Sequence, residues 1–118
     1  MINIIAPSRY KLNKKSIRTE TEQVVEKQYR IKHNYQLNIV FVGVRKVKAI
    51  AKHFKKSPQA HPVLTLSYVD EQRTDSENLL GEIIICYPQA VLLAAQKEKT
   101  VDQMINYLIN HGLENIFS

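Results

Sequence analysis

The sequence predicts an α+β fold in which a small mixed β-sheet of about four strands packs with helices. Three observations support this class. Of the 118 residues, 44% are hydrophobic and 24% are charged, which is typical of a chain that folds around a core. Four short runs are rich in β-branched residues, and the segments between and after them repeat apolar residues at helical spacing. The length suits one domain, so we expect residues 1–118 to form a single unit.

The first part of the chain predicts the order strand, helix, strand. Residues 2–6 (INIIA) predict a strand that Pro7 ends. Residues 14–31 lack the alternation of a strand and predict an amphipathic helix. The apolar positions of that helix are Ile17, Val24, Val25 and Tyr29. Residues 37–42 (LNIVFV) predict a second strand, because β-branched and aromatic residues favour a pleated, half-buried surface, and Gly43 ends it.

The next segment predicts a basic amphipathic helix. Its apolar residues recur at helical spacing, at Val44, Val47, Ile50, Ala51 and Phe54. Six cations lie between these apolar residues or just after them, and no acidic residue interrupts them. The six are Arg45, Lys46, Lys48, Lys52, Lys55 and Lys56. Clustered cations bind polyanions, and the net charge of +6 favours the same kind of partner. We therefore predict that these six residues contact nucleic-acid phosphates. The alternative is a solvated helix face.

Two further strands are predicted after this helix. Residues 63–69 (VLTLSYV) and 79–86 (LLGEIIIC) have strand composition, and a polar loop separates them at 70–78. The continuous apolar run of the second strand predicts burial on both of its faces. The element order β-α-β-α-β-β-α-α predicts that the sheet is mixed.

The last part of the chain predicts two helices. Pro88 suits the first position of a helix that runs to residue 97. Thr100 and Gln103 match a capping box, in which the two side chains satisfy free amide groups at a helix start. We expect the helix that follows to continue past Gly112 and to pack Phe117 against the domain.

Cysteine content and hydropathy limit the class of protein. The one cysteine, Cys86, allows neither an internal disulfide nor a zinc site of several thiolates, and we expect it to be a buried structural residue. The longest apolar runs are far shorter than the roughly 20 residues of a membrane-spanning helix. We expect a soluble, cytoplasmic protein.

Two segments of the sequence carry a resemblance to a known family. Residues 80–86 (LGEIIIC) resemble the strand motif L-G-D-I-x-I-C, and His111-Gly112 matches the start of the motif H-G-x-L-H-L-x-G-Y-D-H at the family's spacing. Residues 62–68 more loosely resemble the motif P-T-D-V-L-S-F. The chain is thereby similar to the YbeY family of metal-dependent endoribonucleases that act in rRNA maturation.

The resemblance implies a fold, a cofactor and a partner. It implies a YbeY-like metal-hydrolase fold, zinc as the cofactor, and rRNA or a ribosomal subunit as the partner, with hydrolysis of single-stranded RNA as the reaction. It implies neither a membrane nor a small-molecule cofactor. It also makes His111 a metal ligand, and makes Lys55 a catalytic candidate because this residue stands at the position of a family arginine.

This sequence departs from the family pattern at the metal ligands. The second metal-binding histidine of the motif falls at Asn115, and the third falls beyond Ser118. An amide oxygen is a poor zinc ligand, so we predict that zinc binding is weak or absent. His61 is a candidate for an additional ligand, and its alternative is a surface histidine. The alternative for His111 is a helix-terminal histidine that interacts with the last carbonyl groups.

Two other positions in the matched segments have alternative interpretations. Glu82 either orients a ligand histidine or is a charged residue at a sheet edge. Ser67 is expected to be structural, because no histidine and acid are placed to activate it. His33 and His53 are expected to be surface residues.

Three interpretations of function remain open. The protein is an rRNA-maturation endoribonuclease, or a relative that binds RNA or ribosomes without cutting, or a shortened product of a gene whose full-length form carries the missing ligands. The sequence predicts no oligomeric state.

Overall fold

A mixed four-stranded sheet organises the chain in the computed structural model, which describes residues 1–32, 34–54, 61–69 and 78–118. The strands are β1 (Ile2–Ile5), β2 (Tyr35–Val42), β3 (Val63–Ser67) and β4 (Asn78–Cys86). Their order across the sheet is β1-β2-β4-β3. The first three in this order run parallel, and β3 pairs antiparallel with β4. The predicted fold class, α+β with a mixed sheet of four strands, is therefore confirmed.

Four helices complete the predicted order of elements, namely α1 (Lys14–Lys27), α2 (Val44–His53), α3 (Tyr87–Gln96) and α4 (Val101–Phe117). The largest error in a predicted boundary is at α1, which ends four residues before position 31. The chain turns there, with Arg30 at a φ of 59°, a left-handed conformation that a helix cannot contain. Among the described residues, none of the helices has the length and hydropathy needed to cross a membrane.

The larger core lies on the sheet face that α1, α3 and α4 cover. Alternate residues of β2 point into it, beginning with Leu37 and Ile39, and β4 adds Ile83 and Ile85. All four side chains are fully buried. Because side chains alternate between the faces of a strand, the residues between these positions face the other way.

The opposite face of the sheet carries a smaller core under α2. Val47 and Ala51 of α2 pack there with Leu64, Ile84 and Cys86. The prediction that β4 is buried on both faces is therefore confirmed, as is the burial of Cys86.

The helix α4 is anchored at both of its ends. The Thr100 hydroxyl accepts a hydrogen bond from the Gln103 amide, and the Gln103 side chain accepts one from the Thr100 amide, each at 3.0 Å, which confirms the capping box. At the other end the Ser67 hydroxyl donates to the Ile116 carbonyl at 2.7 Å. Phe117 stacks on Tyr29 with 4.2 Å between ring centroids. The helix passes Gly112 and Phe117 packs against the domain, as predicted.

Both glycines of the two specific motifs lie where α4 approaches the sheet. A Cβ atom on Gly81 would lie 2.3 Å from the Leu66 carbonyl oxygen and 3.0 Å from a methyl group of Ile116. A Cβ atom on Gly112 would lie 2.9–3.1 Å from three side-chain atoms of Ile83. Gly112 therefore allows close packing of α4 on β4, whereas Gly81 leaves room first for the backbone of β3 and then for Ile116 of α4. Neither glycine has a positive φ.

Candidate functional site

The basic surface predicted from the sequence lies on α2, and four of its six residues are described. The helix begins after Gly43, and its buried side anchors it on the sheet. The four cations are all exposed, and they are Arg45, Lys46, Lys48 and Lys52. The other two, Lys55 and Lys56, lie outside the described residues, so the position of the catalytic candidate Lys55 stays a prediction.

Helical spacing divides these four cations into two groups. Arg45, Lys48 and Lys52 are separated by three and four residues, so they form one row along α2. Lys46 lies on the other side of the exposed surface, facing β1. Phe54, at the end of α2, is 45% exposed and contacts His53 edge-on at 5.0 Å between ring centroids. His53 is exposed, as predicted.

Sequence reasoning missed Arg9 as a candidate. It lies in the segment between β1 and α1, and together with Arg45 and Lys46 it lines an open groove of about 750 Å³ beside α2. Arg9 lies near α2 because β1 pairs in parallel with β2, with Ile5 aligned to Val40. The segments that follow the two strands therefore lie at the same end of the sheet. That pairing links residues 35 positions apart and is not visible in a local pattern.

The predicted metal-ligand position is on α4. His111 and Asn115 are four residues apart on the same side of the helix, and both are exposed. The alternative that His111 is a helix-terminal residue is wrong, because α4 continues for six residues after it, to Phe117.

The described residues do not fit a zinc site by themselves. Catalytic zinc takes about three protein ligands, and within residues 1–32, 34–54, 61–69 and 78–118 no group of three His, Cys, Asp or Glu side chains comes together. His61 precedes β3 near the end of β4, since the Cys86 amide donates to the Pro62 carbonyl. His111 lies elsewhere, because its neighbour Gly112 packs on Ile83. Ile83 pairs with the β3 residue that is four positions after His61. The place where α4 contacts the sheet is therefore on the order of 13 Å from His61 along the strand.

Glu82 does not support His111 either. It lies next to Ile83 in β4, and because Ile83 faces α4, Glu82 faces the opposite side of the sheet. The alternative of a sheet-edge residue is also wrong, since β4 lies between β2 and β3 and Glu82 pairs with Asn38 and Leu66. The inner position of β4 was not predictable from the local sequence, because β3 pairs with the edge of β4 that lies opposite to β2.

The surroundings of Cys86 and Ser67 argue against a direct role of either side chain in catalysis or metal binding. Burial raises the pKa of the Cys86 thiol, and a hydrogen bond with the Gln89 backbone offsets this only in part. The thiol therefore stays protonated at neutral pH and is neither a thiolate ligand nor a nucleophile. The Ser67 hydroxyl is used to cap the Ile116 carbonyl, which supports the structural role predicted for it.

Comparisons with known proteins agree with the resemblance in the sequence. The family model for endoribonuclease YbeY matches residues 4–114. The chain is 31% identical over 78 residues to endoribonuclease YbeY of Janthinobacterium sp. (strain Marseille), covering 66% of this chain and 50% of that protein. It is 33% identical over 86 residues to endoribonuclease YbeY of Phytoplasma australiense, covering 70% and 58%. The chain thus spans about half the length of these curated relatives.

The fold is similar to a solved structure as well. The solution structure of TM1509 from Thermotoga maritima superposes with a TM-score of 0.60 at 17% identity, covering 96% of this chain and 69% of that one. This similarity concerns the fold alone. Because the family model covers nearly the whole sequence, from residue 4 to residue 114, the chain belongs to the YbeY family of endoribonucleases.

Proposed function

We propose that this protein binds single-stranded RNA and acts in rRNA maturation, as a member of an endoribonuclease family. The observation that carries the proposal is the exposed row of Arg45, Lys48 and Lys52 on a helix whose other side is buried in the fold. The partner we propose is rRNA or a ribosomal subunit, and the compartment we propose is the cytoplasm.

The proposed contact is mainly electrostatic. Spacings of three and four residues hold the row along roughly ten ångström of helix, so each cation can meet a different phosphate of one strand. Release of counterions from those phosphates would supply most of the affinity. Phe54 is the one exposed Phe, Tyr or Trp side chain in the described part of this surface, and a single such ring stacks at most one base. Binding is therefore expected to tolerate different sequences.

The reaction we propose is the family's hydrolysis of the RNA backbone. The two donors that align with the family motif, the His111 imidazole and the Asn115 amide, do not fit a zinc site without further ligands. We therefore assign no step of hydrolysis to a metal bound by the described residues. Lys55, at the position of a family arginine, remains the catalytic candidate. Its ammonium group offers a point charge in place of the bidentate fork of arginine.

A second candidate function follows from the same donor set. A protein that keeps the basic helix but has one imidazole at the metal position would hold RNA or a ribosomal subunit without cutting it. The absence of a three-donor group among the described residues favours this candidate.

One experiment tests binding and another separates the two candidates. Fluorescence anisotropy with a labelled single-stranded RNA should show affinity that falls steeply with salt. The double reversal Lys48→Glu and Lys52→Glu should weaken binding of all sequences alike. The matched control, Lys27→Glu with Lys32→Glu, makes the same charge change away from α2 and should bind more tightly than the test variant. Equal losses in the two double variants would mean that only net charge matters.

Cleavage is then measured on a denaturing gel with and without added zinc. Cutting that depends on zinc would support the endoribonuclease. Salt-sensitive binding without cutting at any zinc concentration would support the second candidate. If the protein binds no RNA at low salt, both candidates are wrong.

A further inference from the structure

The groove beside α2 is a formed feature of the fold with charge on both of its sides. One side is the segment Ala6–Arg9 after β1, and the other is the start of α2 with Arg45, Lys46 and Ala49. The floor is apolar and includes Ile5 and Val40, at neighbouring positions on the paired strands β1 and β2. We call this feature the β1–α2 groove.

The groove exists because α2 covers only part of its face of the sheet. The buried side chains of α2 pack with Leu64 of β3, with Ile84 and Cys86 of β4, and with Val42 at the end of β2. The same face of β1 is left open beside the helix, and Ile5 there is 54% exposed. The groove lies at the carboxyl ends of parallel strands, the place where open sheets of this kind bind ligands.

Arg9 is held in position by neighbouring side chains. Its guanidinium group lies over the ring of Tyr10, 5.0 Å from the centroid. Tyr10 in turn stacks on Tyr87, with 4.4 Å between centroids, and its amide closes a turn onto the Pro7 carbonyl. Its hydroxyl group lies beside Gly43 at the start of α2. A cation on such a support loses little conformational freedom when it binds an anion.

The charges of the groove select an anionic occupant. Arg9, Arg45 and Lys46 come from two separate segments, and the lining contains no acidic residue among the described residues. Arginine binds phosphate through a planar fork of donors. The apolar floor, in which Ile5 is exposed and Val40 is partly buried, suits the flat side of a base or a ribose.

We propose that the β1–α2 groove is a nucleotide subsite for single-stranded RNA, with a phosphate group between Arg9 and the α2 cations and its nucleoside on Ile5 and Val40. This inference rests on the proposed function for the identity of the occupant. It adds Arg9 and Lys46 to the proposed RNA contact, shares Arg45 with the row on α2, and is separate from His111, which lies on α4 across the sheet.

The first test uses adenosine 5′-monophosphate as a probe, with adenosine as its phosphate-free control. In a ¹H–¹⁵N correlation spectrum the nucleotide should shift the amide signals of Ile5, Ala6, Gly43 and Ala49. Adenosine should bind at least about tenfold more weakly, because one charge-assisted contact is of that order. Shifts that spread over the surface, or that concentrate on α4, would overturn the assignment.

The second test measures RNA affinity of the Arg9→Ala and Lys46→Ala variants by anisotropy. Each should bind a labelled oligoadenylate several-fold more weakly and lower the salt slope by about one. The control is Lys27→Ala, which removes one exposed charge at the far end of α1. That end of α1 leads to the start of β2, so it lies at the end of the sheet away from the groove. Thermal melts of all three variants establish that the fold is kept.

The outcomes separate this inference from the proposed function. If the wild-type protein binds RNA and Arg9→Ala behaves like Lys27→Ala, the groove assignment is wrong and the proposed function stands. If Arg9→Ala loses both nucleotide and RNA affinity beyond the control, the subsite is supported. If the wild-type protein binds no RNA at low salt, both proposals are wrong.

Discussion

Replacing Gly112 with alanine tests whether this motif glycine is present because α4 approaches the sheet. In an exposed helix the change would stabilise the protein by about 1 kcal/mol, since alanine is the better helix former. Here the new Cβ atom would lie 2.9–3.1 Å from three atoms of Ile83. Overpacking a buried site costs about 1–3 kcal/mol. We therefore expect Gly112→Ala to destabilise the protein by about 1 kcal/mol.

The sign of the effect should reverse when the facing side chain is removed. Ile83→Ala deletes all three contacting atoms and by itself costs about 2–5 kcal/mol. In that background Gly112→Ala no longer meets these three atoms and should stabilise by about 1 kcal/mol, a coupling of about 2 kcal/mol. If Ile83→Ala leaves too little stability, Ile83→Val, which removes only the outermost of the three atoms, should give a smaller coupling of the same sign.

The assay is chemical denaturation followed by circular dichroism, with the m-value checked for constancy across the four proteins of the cycle. Glu114→Ala is the matched control, because it changes an exposed residue of the same helix and should show no coupling to Ile83. The reasoning is refuted if Gly112→Ala changes stability equally in both backgrounds, within the roughly 0.5 kcal/mol expected of independent sites.

Three other predictions concern metal, the end of α4 and pH. Elemental analysis after dialysis should find far less than one equivalent of zinc, because His111 is the one imidazole at the motif position; a full equivalent would point to donors outside the described residues. Phe117→Ala should lower the melting temperature by several degrees through loss of the stack on Tyr29, whereas Tyr107→Ala, at a 57% exposed position of the same helix, should lower it less. Equal shifts would contradict the packing role. Burial raises the pKa of the Cys86 thiol, so with rising pH the unfolded chain loses the thiol proton before the folded protein does. Denaturation midpoints should therefore fall as pH rises above about 8.5. Cys86→Ala should weaken this pH dependence, and an unchanged dependence in that variant would contradict the role of the thiol.

Local patterns were sufficient to predict most of the elements. The capping box at Thr100 and Gln103 and the apolar run that ends at Cys86 depend on residues that are near each other in the sequence, so their signals are complete within a short window. Boundaries were less accurate, as at Arg30, where a single left-handed residue ends the helical region.

The site was harder to predict because it depends on pairing between distant segments. The inner position of Glu82 follows from β3 adding to β4, and the proximity of Arg9 to Arg45 follows from β1 pairing with β2. Neither pairing has a local sequence signal. The resemblance to a family supplied the position of His111, but whether that position has enough donors is a property of the three-dimensional arrangement.

The placement of α2 and α4 on opposite faces of the sheet would set a length requirement for any single-stranded RNA that contacted both helices. Packed layers of secondary structure lie about 10 Å apart, so an RNA strand that reached from the α2 surface to the side of α4 would pass around an edge of the sheet and span at least about 20 Å. A stacked strand advances about 3.4 Å per nucleotide. Fragments shorter than roughly six nucleotides would therefore occupy one face at a time, and a longer strand would gain affinity from both faces at once.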